Sequence, residues 1–216
     1  MTSSATSSPL PSFSLGINLD DWLACHNFSL AGKVASVEAA NLITPGMGIS
    51  VKTMDLDTLR RHEVSLGALS PRCANRIMVP LESTGKLDSM GEIELAFEAQ
   101  RRILAPHSPS RLSCMWLAED SEAGRSHIRT MFSTIPHLLV VKVRVTCALA
   151  FFKADTGWFD RYVRNADETF IKNYWSGLNC PNGAWEFLLD GGVELIDSVN
   201  LANIRANGAK LPPHSP

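Results

Sequence analysis

The chain has 216 residues, 45% of them hydrophobic, and its 20 basic against 22 acidic residues give a formal net charge of −2. That length supports one domain with a substantial core and a small N-terminal appendage, and the balanced charge excludes a global electrostatic footprint for nucleic acid, leaving only a local patch open. No apolar run approaches the ~18 residues that a membrane-spanning helix needs, and five cysteines (Cys25, Cys73, Cys114, Cys147, Cys180) without a C-x-x-C pair point to reduced thiols in a reducing compartment, not to a disulfide or zinc framework.

Residues 1–15 are rich in Ser and Thr, carry Pro9 and Pro11 and no charge, and read as a disordered leader. It is either a frayed terminus or a non-cleaved export signal of the kind secreted bacterial effectors carry. Residues 16–88 form an N-terminal helical and loop region, with short helices expected from Asn18 through Leu23, over Val34 to Leu42 and over Asp55 to Arg61, and a turn at Thr44-Pro45-Gly46. The Gly, Pro and Ser of Gly67 to Lys86 leave loop and edge strand both open around Ile77-Met78-Val79. A core is expected over residues 89–205 and a tail over 206–216.

Within that core, Ser89 and Glu92 have capping-box spacing, and Ile93, Ala96, Phe97, Ile103 and Leu104 share one helical face, so a helix from about Gly91 to Leu104 follows, with Glu94, Glu98 and Arg101 off that face. Pro106 and Pro109 end it and lead into an apolar run, Pro109 to Leu117, expected as a strand with Arg111, Ser113 and Met115 on one face. A helix over Glu119 to Phe132 and a half-buried strand over His137 to Val145 come next. One long helix, capped by Asp155 or Thr156 and ending at Gly177, precedes a hairpin of Ala184 to Leu189 with Val193 to Ile196 around Asp190-Gly191-Gly192. Strands and helices without βαβ alternation make the fold α+β, with a mostly antiparallel sheet.

Arg111 is a charge inside a segment that otherwise reads as core, so it needs an anionic partner: a structural carboxylate or a bound anion. Glu186 is equally conspicuous between Trp185 and Phe187, and is either the ion-pair partner of Arg111 or a working carboxylate. Tyr174 and Trp175 supply aromatic surface for stacking. The six histidines show no metal-ligand spacing, so no metal is expected.

An Arg with Ser two residues on, an aromatic-Ser-Gly turn and a late strand bearing one Glu resemble, in that order, the mono-ADP-ribosyltransferase superfamily of bacterial toxins and effectors, of its Arg-Ser-Glu type. The resemblance covers about Glu92 to Ile196. It implies a split antiparallel sheet that binds NAD as a substrate, with Glu186 catalytic and Arg111, Ser113, Tyr174, Trp175 and Ser176 on the dinucleotide. It also implies transfer of ADP-ribose to a macromolecular acceptor by an enzyme of the bacterial cytoplasm or one secreted into a host cell. Arginine-specific members carry Glu or Gln two residues before the catalytic Glu, where this chain has Ala184. The departure suits a hydroxyl acceptor, and in this the chain resembles the CteC-like group that modifies a threonine of ubiquitin. Two alternatives stand beside transfer: a binding module on the same fold without turnover, and an NAD glycohydrolase, in which water replaces the acceptor.

Overall fold

Phe13, Leu15 and Ile17 alternate with small or polar residues, the period of a strand that buries one face. The computed structural model describes residues 11–43, 50–60, 69–70, 73, 77, 80 and 83–208, and in it these side chains are the buried face of β1 (Ser12–Asn18). The leader expected over residues 1–15 is therefore corrected from Ser12 onward. Its first ten residues, the Thr44-Pro45-Gly46 turn and most of the 206–216 tail lie outside the described residues, as does much of the 67–86 segment, in which Ile77 is helical and buried.

Every described ladder is antiparallel, in keeping with the α+β expectation. β1 lies between β3 (Met115–Glu119) and the first half of β4 (Leu138–Asp155). The second half of β4 pairs with β5 (Trp185–Leu195), and β5 pairs in turn with β3 and with the short β2 (Lys33–Ala35). The pairings β1–β3–β5–β4–β1 therefore close on themselves. Closure hides edges that an open sheet would leave to other chains, and it gives the sheet an inside, where Phe13, Leu117, Val143, Phe187, Leu189 and Val193 pack together. Phe13 meets Phe187 edge to face with ring centroids 5.1 Å apart.

β5 runs without a break through Asp190-Gly191-Gly192, which corrects the expected hairpin. Neither glycine has a positive φ. What they supply is room: a Cβ on Gly191 would lie 2.1 Å from the Cys147 carbonyl oxygen and one on Gly192 3.0 Å from Thr146 Oγ1. Opposite them β4 shifts register twice, between Val145 and Cys147 and between Ala148 and Ala150, and such bulges bend a strand enough to close a small sheet.

The helices pack around this ring. α1 (Trp22–Ala31) and α8 (Ser198–Gly208) send Phe28 and Ile204 into its apolar cluster. α2 (Val37–Ile43) begins three residues later than expected because Val34 is taken into β2, and α3 (Leu56–Arg60) falls where expected. α4 (Ser89–Leu104) is capped by Asp88, whose side chain accepts from the Gly91 N–H, one residue ahead of the predicted capping box. α5 (Glu122–Met131) sits over β1 at Gly16, where a Cβ would press on Ile128 at 3.0 Å. The long C-terminal helix is in fact two, α6 (Thr156–Asn165) and α7 (Glu168–Trp175), separated where Ala166 adopts φ 52° and Asp167 caps the second.

Phe13→Ala tests the placement of β1. Loss of a buried aromatic side chain from a closed core costs about 3–5 kcal/mol, read as a lower denaturation midpoint, whereas in a disordered leader the substitution leaves the midpoint unchanged.

Candidate functional site

The inner face of α4 carries charge beside the apolar Leu95 and Phe97. Glu94, Glu98 and Arg101, expected away from the core, are all buried, while Ile103 is 72% exposed. The reason lies in the segment that follows the helix. Glu98 receives Arg101 through both its oxygens, at 2.9 and 2.7 Å, and also accepts from Ser110 Oγ at 2.8 Å, while Arg101 donates to the carbonyls of Pro106 and Ser108. Buried charges persist when paired and hydrogen-bonded. Here the pairing fastens residues 105–110 to the helix and delivers Arg111 into the interior.

Arg111 and Ser113 thus sit in a turn; β3 begins only at Met115, which corrects the expected strand start and its shared face. Arg111 is 1% exposed, and all three of its guanidinium nitrogens are engaged. Nε and one terminal nitrogen grip the two oxygens of Glu94 at 2.9 and 3.3 Å, and the other donates to Tyr174 Oη at 2.5 Å and to Glu186 Oε1 at 2.8 Å. Four rings surround the guanidinium carbon: Trp116 and Phe159 at 4.3 Å, Tyr174 at 5.0 Å and Phe97 at 5.2 Å. Aromatic faces favour a desolvated cation. Burial works against the Arg111 charge, but Glu94, then Tyr174 and Glu186, outweigh it and hold the guanidinium well above its ordinary range. Of the two partners left open by the sequence, the structure supplies carboxylates.

Glu186 differs from Glu94 in one respect. Tyr174 Oη also donates to Glu186, again on Oε1, and burial, with Glu186 beside it, holds the phenol well above its usual range despite the opposing pull of Arg111, so it stays a neutral donor. Oε2 accepts no hydrogen bond among the described residues, and Glu186 lines a cleft of about 440 Å³. Glu94 thus meets Arg111 with both oxygens, whereas Glu186 meets it with one.

The cleft walls come from α5 (His127, Thr130, Met131), α6 (Thr156, Phe159, Asp160, Val163) and the loop at Asn182, Gly183 and Ala184. Asp155 fastens that loop to α6 by accepting from the Gly157 and Cys180 N–H groups, at 2.9 Å each. A Cβ on Gly183 would overlap the Asp155 carboxylate. Of the residues expected on a dinucleotide, Arg111 and Tyr174 come together here with Glu186, the expected catalytic residue. Trp175 packs behind them, its indole donating to the Phe97 carbonyl; Ser176 is an exposed cap of α7; Ser113 points to Glu38 at 3.3 Å. Glu94 was missed, though its spacing of four from Glu98 and seven from Arg101 marks one helical stripe. Among the described residues, no group of three or more His, Cys, Asp or Glu is placed to hold a metal ion, and no helix is long and apolar enough to cross a membrane.

The asymmetry between the two carboxylates is measurable. Arg111→Met removes the guanidinium that both carboxylates meet in the interior and should cost about 3–5 kcal/mol in urea unfolding, whereas Glu186→Gln leaves Arg111 paired with Glu94 and should cost far less.

A comparison with curated proteins finds no match to this chain. The profile of the family described as Protein of unknown function (DUF2441) matches residues 75–201, which is more than half of the chain and holds Glu94, Arg111, Tyr174 and Glu186, so the chain belongs to that family.

Proposed function

We propose that the chain is an NAD-dependent mono-ADP-ribosyltransferase with Glu186 as its catalytic carboxylate. The observation that carries this is the Glu186 carboxylate on the wall of a cleft, with Oε1 held by Arg111 and Tyr174 and Oε2 left for a ligand. Breaking the bond between nicotinamide and ribose sends the bonding pair to the nicotinamide nitrogen and leaves an oxocarbenium-like carbon. A fixed carboxylate stabilises that centre, as glycosidases do at their sugars. The acceptor hydroxyl then bonds to the carbon and loses its proton to solvent water.

Arg111 takes a different part from the phosphate anchor that the resemblance implies, because its fork is occupied by Glu94, Glu186 and Tyr174. It is a positioning residue for Glu186. The ribose and nicotinamide end is then met by Thr130, Thr156 and Asn182 as polar groups and by Met90, Phe159 and Val163 as apolar surface. The acceptor is a protein hydroxyl, with a threonine of ubiquitin as the first candidate.

The full satisfaction of Arg111 also favours a second reading, in which the ion cluster is structural and the chain is a binding module without turnover. Incubation with labelled NAD, purified ubiquitin and a cell lysate separates the possibilities. A labelled protein supports transfer, free ADP-ribose shows a glycohydrolase, and unchanged NAD leaves the binding module. If transfer occurs, Glu186→Gln should lower turnover by ~10²–10³, as for loss of one electrostatic stabiliser, with NAD binding nearly unchanged because the charge acts mainly in the transition state. A fully active, folded Glu186→Gln protein excludes Glu186 as the catalytic group.

A further inference from the structure

A second cavity, of about 450 Å³, lies between α2, the turn after α4 and the bulged middle of β4, but the oxygens of Asp190 beneath it have essentially no accessible surface. The Glu186 cleft is different. Glu186 Oε2 meets no donor among the described residues and is not closed off in that way. A second carboxylate reaches the same cleft from α6. Phe159, Asp160 and Val163 stand three, four and seven residues after Thr156, so the four form one helical stripe, and all of them line the cleft. Asp160 is exposed, and its carboxylate makes no hydrogen bond or ion pair among the described residues. The arginines that follow it are engaged elsewhere: Arg161 lies over the Trp158 ring at 5.4 Å, and Arg164 Nε donates to the Asp160 backbone carbonyl at 3.1 Å. Arg111 also lines the cleft, but Glu94, Tyr174 and Glu186 take all three of its nitrogens. Of the two cleft carboxylates, Glu186 thus has a cation at 2.8 Å and Asp160 has none among the described residues.

We infer that Asp160 makes this cleft selective for a flat organic cation, an N-alkylated pyridinium, over the neutral form of the same ring. The inference rests on the NAD reading in one respect: the nicotinamide of oxidised NAD is such a cation, and the reduced ring is neutral. A cation drawn to Asp160 must also suit the walls, where Met90, Met131, Phe159 and Val163 are apolar. A compact ammonium is strongly hydrated and gains nothing from them. A ring that spreads its charge loses less water and lies against thioether and aromatic surface. Cleavage moves the positive charge from the ring to the ribose carbon and leaves neutral nicotinamide, so Asp160 holds the substrate and not the product. It is a specificity residue, because an attraction present in the ground state and lost along the reaction acts on KM and does not raise kcat.

The probes are 1-methylnicotinamide, a cation, and nicotinamide, its neutral counterpart, each titrated into the full chain by ligand-observed NMR. The cation should bind about tenfold more tightly, the scale of one charge pair a few ångströms apart beside water. Asp160→Asn, a near-isosteric change at an exposed residue, should bring 1-methylnicotinamide down to the affinity of nicotinamide and leave nicotinamide as it is. Glu186→Gln should keep the preference, because Arg111 already meets that carboxylate. Equal affinities in the unaltered chain, no binding of either probe at millimolar concentration, or a preference that survives Asp160→Asn each overturns the inference. The labelled-NAD assay answers the other question separately: a preference lost in Asp160→Asn, in a chain that leaves NAD unchanged, keeps Asp160 in this role and refutes transfer, and NAD turnover without a cation preference does the reverse.

Discussion

Burial of one guanidinium governs the arrangement of this protein. Arg111 reaches the interior from a turn, and its partners come from three separate elements: Glu94 from α4, Tyr174 from α7 and Glu186 from β5. An unpaired charge there would be expelled or neutralised, so all three elements must be in place together. A buried ion pair adds little net stability over a well-packed apolar substitute, but it rejects arrangements in which any partner is missing. Its worth here is positional. The same cluster fixes the path of residues 105–114, the pitch of α4 with its charged face inward, and the side of the sheet against which α7 lies.

The two carboxylates that meet Arg111 are held in different ways. Glu94 spends both oxygens on Arg111, whereas Glu186 shares only Oε1 with Arg111 and Tyr174. A carboxylate held at one oxygen by two donors cannot swing, so the direction of its other oxygen is set before any ligand arrives. Preorganisation of this kind makes an electrostatic group effective in the transition state, because no reorganisation is needed at the moment of reaction. The aromatic rings around Arg111 add to it, because their faces favour a desolvated cation.

The sequence displayed Arg111 and Glu186 as charges in apolar surroundings, and both sit where such surroundings led us to expect, in the core and facing each other. It hid Glu94. A Glu on an amphipathic helix is normally solvated, and only the polar turn that follows α4, with its carbonyls and Ser110, makes an inward charged stripe affordable. β1 was masked by composition: Ser, Gly and Asn between Phe13, Leu15 and Ile17 read as leader, although the period of two was present. The break between α6 and α7 depends on Ala166 taking a left-handed conformation that its type disfavours, and the one local signal for it was Asp167, the cap of α7. In Asp190-Gly191-Gly192, turn chemistry and close backbone approach ask for the same residues, and tertiary pairing with a bulged strand decided between them.

That bulged pairing does more than close the sheet. Glu186 and Asp190 lie on the same face of β5, four residues or about 13 Å apart at the rise of an extended strand. Over Glu186 the face is covered by Leu188, Trp116 and the rings of α4, α6 and α7. Near Asp190 the partner strand departs from regular register, Leu149 is extruded between Ala148 and Ala150, and Gly191 lets the two backbones draw together. The extruded residue lines the second cavity beside Asp190. Burial raises the Asp190 pKa while Lys52 opposes the shift, the signature of a carboxylate in a recess with only partial compensation. One strand thus carries two buried carboxylates on the face turned away from the ring's interior, held by different partners, and the irregularity of β4 beside Asp190 is the same one that bends the sheet shut.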